Sequence, residues 1–463
     1  MTLRPFGARR PAGALLVSLC IALICGAACD RRTISDPEIP EALDTQLREQ
    51  FQRWGVMPIG ALAKQNPAMV DLGRALFFDR VLSGNRDVSC ATCHSPLKQA
   101  ADGLSLSIGT GAVETGATRT LGAGRQFVPR NAPSLLNQGL GTFYIFWDGR
   151  VSEQGSITRF KTPAGAALPQ GLTSALAAQA MLPVANRVEM RGNVGDHDVF
   201  GNVNELAAYD SSQWTDIWAA AMRRLLAING YVTKFNAAFP GVPTSSLGFQ
   251  HAANAIATFE MDAFTKTNSP FDRYLARDNS ALSLDAKRGA LLFFTKARCS
   301  SCHFGTFLGG QNFASVGAPQ IGPGTGSGAP LDFGFADTFQ STGMRFFFRV
   351  PTLRNVELTA PYMHSGAYAT LEAVVHHYND VSKAIDSYDV SQLDPSLRAQ
   401  YHGDAATRTA LRTALDSRLR QPLGLTEEEL KQLVAFLKSL TDPAARNLGS
   451  VIPTSVPSGL PVR

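Results

Sequence analysis

Past residue 29 this 463-residue chain has no cysteine outside two short motifs: of its seven cysteines, Cys20, Cys25 and Cys29 lie in the first thirty residues and the other four are Cys90, Cys93, Cys299 and Cys302. A disulfide framework is therefore excluded. Charge is scarce as well. A formal net charge of +5, partly from the basic amino terminus, argues for neither a nucleic-acid partner nor a basic membrane-binding face. Strand signals are few, and beyond the amino terminus no run is apolar enough to span a bilayer.

The first thirty residues combine Arg4, Arg9 and Arg10 with the apolar run AGALLVSLCIALICGAAC. That pattern is an export signal rather than part of the fold, so the mature protein is expected outside the cytoplasm, in a periplasm. GAAC before Asp30 reads as a lipoprotein cleavage site, which makes 1–29 the signal and Cys29 the lipidated residue, with Asp30 suggesting inner-membrane retention. Membrane contact is then expected through that anchor alone. An uncleaved anchor is the alternative, but the run is short for a spanning helix.

The four remaining cysteines carry the chemistry. DVSCATCHSP (Cys90, Cys93, His94) and ARCSSCHFG (Cys299, Cys302, His303) are both C-x-x-C-H. Two thiols at this spacing add across the vinyl groups of one haem, and the following histidine becomes the proximal iron ligand. A zinc half-site or a redox dithiol is the competing reading of a lone CxxC. No further cysteine pair is present to complete a zinc set.

The surroundings repeat too. GRALFF (73–78) precedes the first motif and GALLFF (289–294) the second, each reading as an apolar-faced helix that ends just before a haem loop. The expected fold is mainly α: two cytochrome c-like domains, 40–280 and 281–445, each with one covalent c-type haem, joined by long Gly/Pro-rich loops such as GGQNFASVGAPQIGPGTGSGAP. FQHAANAIATFEMDAF should close the first domain and LTEEELKQLVAFLKSL the second, the latter opening with a Thr426/Glu429 capping box and an apolar stripe of Leu430, Leu433, Phe436, Leu437 and Leu440. The tail after Asp442 reads as disordered, with 446–463 flexible.

Whether either iron keeps an open face decides between catalyst and electron carrier. The stretch 95–136 after His94 holds no His, Met or Cys. His197, His251, Met181 and Met190 are the remaining candidates in the first domain, and a five-coordinate haem open to a small molecule such as hydrogen peroxide is the expected state.

In order along the chain, LGRALFFDRVLSGNRDVSCATCHSP, RNAPSLLN, FWDGR, PVANRVEM, the second CSSCH and FRVPTLRNVELTAPYMHSGAYATLEAVVHHYN resemble the bacterial dihaem cytochrome c peroxidase and MauG family over nearly the whole mature sequence. The resemblance implies an amino-terminal haem that reduces hydrogen peroxide through a ferryl state, a carboxy-terminal haem that relays electrons from an external donor, and a calcium ion between them. It makes Trp147 the bridge between the haems and Glu189 the distal acid that moves peroxide protons. Gln179 keeps the spacing of the family's distal glutamine, although about twenty-five residues separate FWDGRVSEQ from the acid stretch, and Gln154 competes for the role. Calcium is assigned to Asn131 and to the backbone carbonyls of Thr359 and Pro361.

Two departures from the peroxidase pattern follow from the same resemblance. Tyr378 stands where peroxidases place a methionine ligand to the second haem, as in MauG-like members; Met363, His376 and His377 are the competing ligands. A phenolate is hard and anionic and favours ferric and higher states, whereas a thioether favours ferrous iron. Where activatable peroxidases carry a closing histidine, SIGTG has Thr110. Ala297 replaces the tryptophan by which MauG draws electrons from its protein substrate, and Trp214 and Trp218 read as core aromatics. The expected activity is a cytochrome c peroxidase-like oxidoreductase, with a small cytochrome c or cupredoxin as donor. Oxidation of residues on a partner protein and a non-catalytic dihaem carrier are the alternatives.

Overall fold

The computed structural model describes residues 38–60, 62–140, 143–153 and 159–462. The export signal, Cys29 and Gln154 lie outside them. Among the described residues no helix is long and apolar enough to cross a membrane.

The principal helices are α1 (Glu38–Arg53), α2 (Pro67–Phe78), α3 (Ala175–Ala180), α4 (Trp214–Leu226), α5 (Asn229–Ala238), α6 (Phe249–Phe264), α7 (Leu284–Phe294), α8 (Leu371–Asn379) and α9 (Glu427–Ser439). Local chemistry sets their starts. Asn66 accepts hydrogen bonds from the amides of Ala68 and Met69 and Pro67 takes the first turn of α2, while Ser283 caps α7. The Thr426/Glu429 capping box opens α9, whose first turn carries Glu427, Glu428 and Glu429 against the positive end of the helix dipole. All five residues of its apolar stripe are buried.

The internal repeat has a packing explanation. Helix α2 crosses α6 at Gly73, where an added Cβ would lie 1.9 Å from the Ala255 carbonyl oxygen; α7 crosses α9 at Gly289, where it would lie 1.8 Å from that of Gln432. Each unit is built on the same close helix crossing, and only a residue without Cβ permits it. The phenylalanines that follow each glycine fill the two cores. Phe77 and Phe78 pack with Phe259, and Phe293 and Phe294 with Phe436.

Both ends of the described residues cross over, which corrects two expectations. Helix α1, assigned by sequence to the first unit, packs on the second: Lys287 Nζ lies 2.7 Å from Asp44 Oδ1 and the Phe51 ring 5.4 Å from that of Phe294. The tail after Asp442, expected to be disordered, is packed on the first. Leu448, Val456 and Leu460 are buried in its core, and Ser458 donates its hydroxyl (2.6 Å) and amide (3.2 Å) to the buried Asp79. Its Pro and Gly content limits it to the short 3-10 turns Pro443–Arg446 and Gly449–Val451, but its spaced aliphatic residues still find a core.

Strands are few. Antiparallel β1 (Tyr144–Ile145), β2 (Val151–Glu153) and β3 (Phe160–Lys161) lie in that order, with Tyr144 opposite Ser152 and Ser152 opposite Lys161. Residues 146–150, the FWDGR motif, form the β1–β2 tip. A second pair, β4 (Phe313–Ala314) and β5 (Phe348–Arg349), belongs to the second unit, and the Arg349 amide donates to the Trp147 carbonyl at 2.7 Å. The hairpin tip is thereby fastened between the units.

Candidate functional site: two cavities that share a tryptophan

Each C-x-x-C-H opens into a cavity. Cys90–Cys93 form a single helical turn ending at His94, beside about 910 Å³ of space not filled by atoms; Cys299–Ser301 form a tight turn leading to His303 beside about 1390 Å³. All four thiols are unbridged. Burial pushes the thiols of Cys90, Cys93 and Cys299 up to about 12, which would keep them un-ionised until the vinyl groups of a haem take them up as thioethers. The histidines are oriented alike: Nδ1 faces a backbone carbonyl, Ala100 at 3.3 Å for His94 and Leu308 at 3.0 Å for His303, which leaves Nε2 as the available ligand atom. Burial also lowers the pKa of both rings, to about 4 for His303. Neutral imidazoles are what an iron requires. Among the described residues no group of three His, Cys, Asp or Glu could hold a metal ion by itself, so the zinc reading finds no partner ligands.

The donor set and the walls fit a haem in each cavity. The second is lined by Leu353, Leu371, Leu433 and Leu437 among others and contains one buried cation, Arg349, whose Nη1 lacks a hydrogen-bond partner although the residue is only 2% exposed. An orphaned guanidinium N–H in an apolar cavity calls for an anionic group such as a haem propionate. The first cavity contains the converse, a buried Glu260 with Oε2 unpaired.

The residues expected at the first haem converge. Gln179 of α3 and Glu189 both line its cavity, as do Asn131, Arg130 and Arg150. Glu189 sits on a wide π-helical turn, Arg187–Arg191, of the kind found at functional sites. Two glycines clamp it: a Cβ at Gly109 would meet the Val188 carbonyl oxygen at 2.1 Å, and one at Gly84 that of Arg191 at 1.9 Å. Asn186 Nδ2 donates to Glu189 Oε1 at 2.9 Å. Burial raises the Glu189 pKa and Arg150 opposes the shift. Thr110 is tied away from the cavity, its hydroxyl donating to Asp87 at 2.8 Å and its amide to the Glu189 carbonyl at 3.0 Å. Of the sixth-ligand candidates, Met190 lines the cavity; Met181 is buried in the core, His251 packs on Phe239 and His197 is exposed.

Trp147 lines both cavities. Its Nε1 donates to the Asn131 carbonyl at 2.9 Å. The next residue, Asp148, accepts from Arg130 Nη1 at 2.6 Å, and Arg130 also grips Asp332 of the second unit at 2.6 and 2.9 Å. Burial would raise the Asp148 pKa, but Arg130 and Arg150 outweigh it and hold the carboxylate well below its usual range. This buried network, which links the two units behind the indole, was not found from sequence; the arginines in RNAPSLLN and FWDGR were its visible trace.

At the second haem the structure separates the competing ligands. Tyr378 and Met363 line the cavity. His377 uses both ring nitrogens elsewhere, Nδ1 with the Tyr368 hydroxyl at 2.8 Å and Nε2 with the Val316 carbonyl at 2.7 Å, and His376 is exposed beside Glu427. Burial, then the nearby Cys302 and Cys299, raise the Tyr378 pKa, so ionisation of this phenol needs a cation at its oxygen. His364, passed over in sequence, also lines the cavity and stacks on Phe348 at 3.6 Å. Ala297 is in the wall, whereas Trp214 and Trp218 lie with the first core, Trp218 donating to the Met181 carbonyl. Near the assigned calcium residues, the Asn131 amide donates to the His364 carbonyl at 2.8 Å and its Nδ2 to that of Leu104, bringing residue 131 beside the loop that holds Thr359 and Pro361.

Two covalent haem attachment sites walled by one tryptophan define a two-haem c-type cytochrome with a peroxidase-like architecture. The comparisons agree. The family model for di-haem cytochrome c peroxidase matches residues 67–280. The methylamine utilization protein MauG of Methylorubrum extorquens is 30% identical over 92% of this chain and 95% of its own length, and the cytochrome c551 peroxidase of Pseudomonas aeruginosa 31% over 79% and 83%. A solved MauG-like protein associated with microbial copper homeostasis matches with a TM-score of 0.56 and 26% identity, covering 84% of this chain and 94% of that one. The chain belongs to the dihaem cytochrome c peroxidase and MauG family.

Proposed function

We propose that the protein reduces hydrogen peroxide at the haem held by Cys90, Cys93 and His94, drawing electrons through the haem held by Cys299, Cys302 and His303. The observation that carries this reading is the single cavity in which Glu189 and Gln179 meet the first C-x-x-C-H and share Trp147 with the second. A haem there supplies a redox iron able to take peroxide as a ligand, and the chain supplies the rest. Glu189, on its clamped turn, accepts the proton of the near peroxide oxygen and returns it to the far one, so that water leaves. Gln179 positions the peroxide by hydrogen bonding. Trp147, held by Asn131 and by the Arg130 network, lines both cavities and so offers a route between them.

Tyr378 supports a second reading, oxidation of residues on a partner protein. As a hard anionic ligand it would stabilise electron-poor iron and disfavour storing an electron on the second haem. A calcium ion on Asn131 and the carbonyls of Thr359 and Pro361 would fix the two units, and a hard cation suits that all-oxygen set. Export to the periplasm, with anchoring through Cys29, completes the proposal.

The test is one equivalent of peroxide added to the purified dihaem protein. The haem absorption is expected to change within the mixing time, and in Glu189→Gln the change should slow about 10²–10⁴-fold, the usual contribution of a positioned proton carrier. Haems indifferent to peroxide, or a variant as fast as wild type, would overturn it. Fast turnover with a reduced cytochrome c supports peroxidase action; a long-lived oxidised state without turnover supports the partner-oxidation reading.

A further inference from the structure

From Tyr378 a chain of rings leads out of the second cavity. The Tyr378 ring lies 5.4 Å from that of His377, His377 5.2 Å from Tyr368, Tyr368 5.5 Å from Tyr388, and Tyr388 5.1 Å from Tyr401. Tyr401 is half-exposed, at the protein surface. Tyrosine is among the few side chains that can lose one electron reversibly, provided its proton has somewhere to go.

The geometry provides that place. The Val316 carbonyl can only accept, so His377 Nε2, 2.7 Å away, carries the hydrogen. In the neutral ring Nδ1 is then the bare nitrogen, and the Tyr368 hydroxyl, 2.8 Å away, donates to it. Together they form an acceptor aligned with a buried phenol, next in sequence to the proposed iron ligand.

We propose that Tyr401 is the surface terminus of an electron relay that runs through Tyr388, Tyr368 and His377 to the second haem site beside Tyr378. This rests on the reading that Tyr378 borders a haem. One electron leaves Tyr368 toward the Tyr378 end while its phenolic proton moves to His377 Nδ1, leaving a neutral tyrosyl radical and an imidazolium. An electron from Tyr401, passed across Tyr388, refills Tyr368, and the proton returns from His377. Tyr401 then gives its own proton to water and is restored by an external one-electron reductant and a proton. The electron that leaves Tyr368 would end on an oxidised haem at the second site, so each passage moves one electron from the external reductant to that haem and consumes nothing else.

The relay is tested without peroxide. A ruthenium label on Asp404→Cys, flash-oxidised in the holoprotein, takes an electron from the reduced second haem, the reverse of the proposed flow over the same rings and through the same coupling, and its rate is read from the haem absorption. Tyr368→Phe and Tyr388→Phe are expected to slow this transfer at least tenfold with the haem spectra unchanged, and Tyr209→Phe, off the path, to leave it alone. Rates within twofold of wild type in both path variants would overturn the relay. Should Tyr368→Phe disturb the haem, Tyr388→Phe, which lies further from it, decides. Peroxide addition to the unlabelled protein reports on the peroxidase reading separately: haems inert to peroxide with the flash result intact remove that reading and keep the relay.

Discussion

Replacing Gly289 by alanine perturbs the crossing on which the second unit is built. The new Cβ would sit 1.8 Å from the Gln432 carbonyl oxygen and 3.0 Å from the Leu433 amide nitrogen, whereas ordinary contact begins near 3.4 Å. The obstacle is backbone in the middle of α9, so no rotamer relieves it; α7 and α9 must part by roughly 1.5 Å. Overpacking of this kind costs about 3 kcal/mol. Alanine's better helix propensity offsets about 1 kcal/mol, for a net loss of roughly 2 kcal/mol. For a unit of this size that lowers the melting temperature by roughly 4–8 °C. Calorimetry on the holoprotein reads it directly, with Gly343→Ala as control: nothing lies within 4 Å of a Cβ there, so a change within about 0.5 kcal/mol is expected. A Gly289→Ala protein as stable as wild type would show that the two helices do not meet at this residue, and the account of the repeat would fail with it.

The unpaired Glu260 makes stability pH-dependent. Burial pushes its carboxyl from 4.5 up to about 8, so between those values the folded chain holds a proton that the unfolded chain has lost, and stability falls as pH rises, by a few kcal/mol across that window. Glu260→Gln should flatten the slope in denaturant titrations from pH 5 to 8; an unchanged slope assigns it to other groups. Ending the chain at Asn447 removes the buried Leu448, Val456 and Leu460 and leaves Asp79 without Ser458. After the entropy of ordering the segment is allowed for, a loss of about 2 kcal/mol is expected, confined to the first unit. Equal melting of full-length and truncated protein would refute the tail's structural role.

The amino-acid sequence by itself determined what is local or covalent. Two C-x-x-C-H motifs specify thiols and histidine in one turn, and no packing is needed to read them. The mainly helical class, the α9 capping box and its buried stripe follow from short-range periodicity, and FWDGR and PVANRVEM drew attention to Trp147 and Glu189 before any geometry. Only the tertiary structure decided what depends on residues far apart in the chain. It put Gln179 in the wall of the first cavity beside Glu189, set one indole against both cavities, and gave His377 two other partners, so that of the ligands read from sequence Tyr378 and Met363 remain at the second, joined there by His364. It also sent α1 and the tail to opposite units, because neither the helical stripe of Leu43, Leu47 and Phe51 nor the aperiodic aliphatic residues of the tail carry any sign of which core will bury them. Burial and orientation are sums over the whole fold, and no window of sequence contains them.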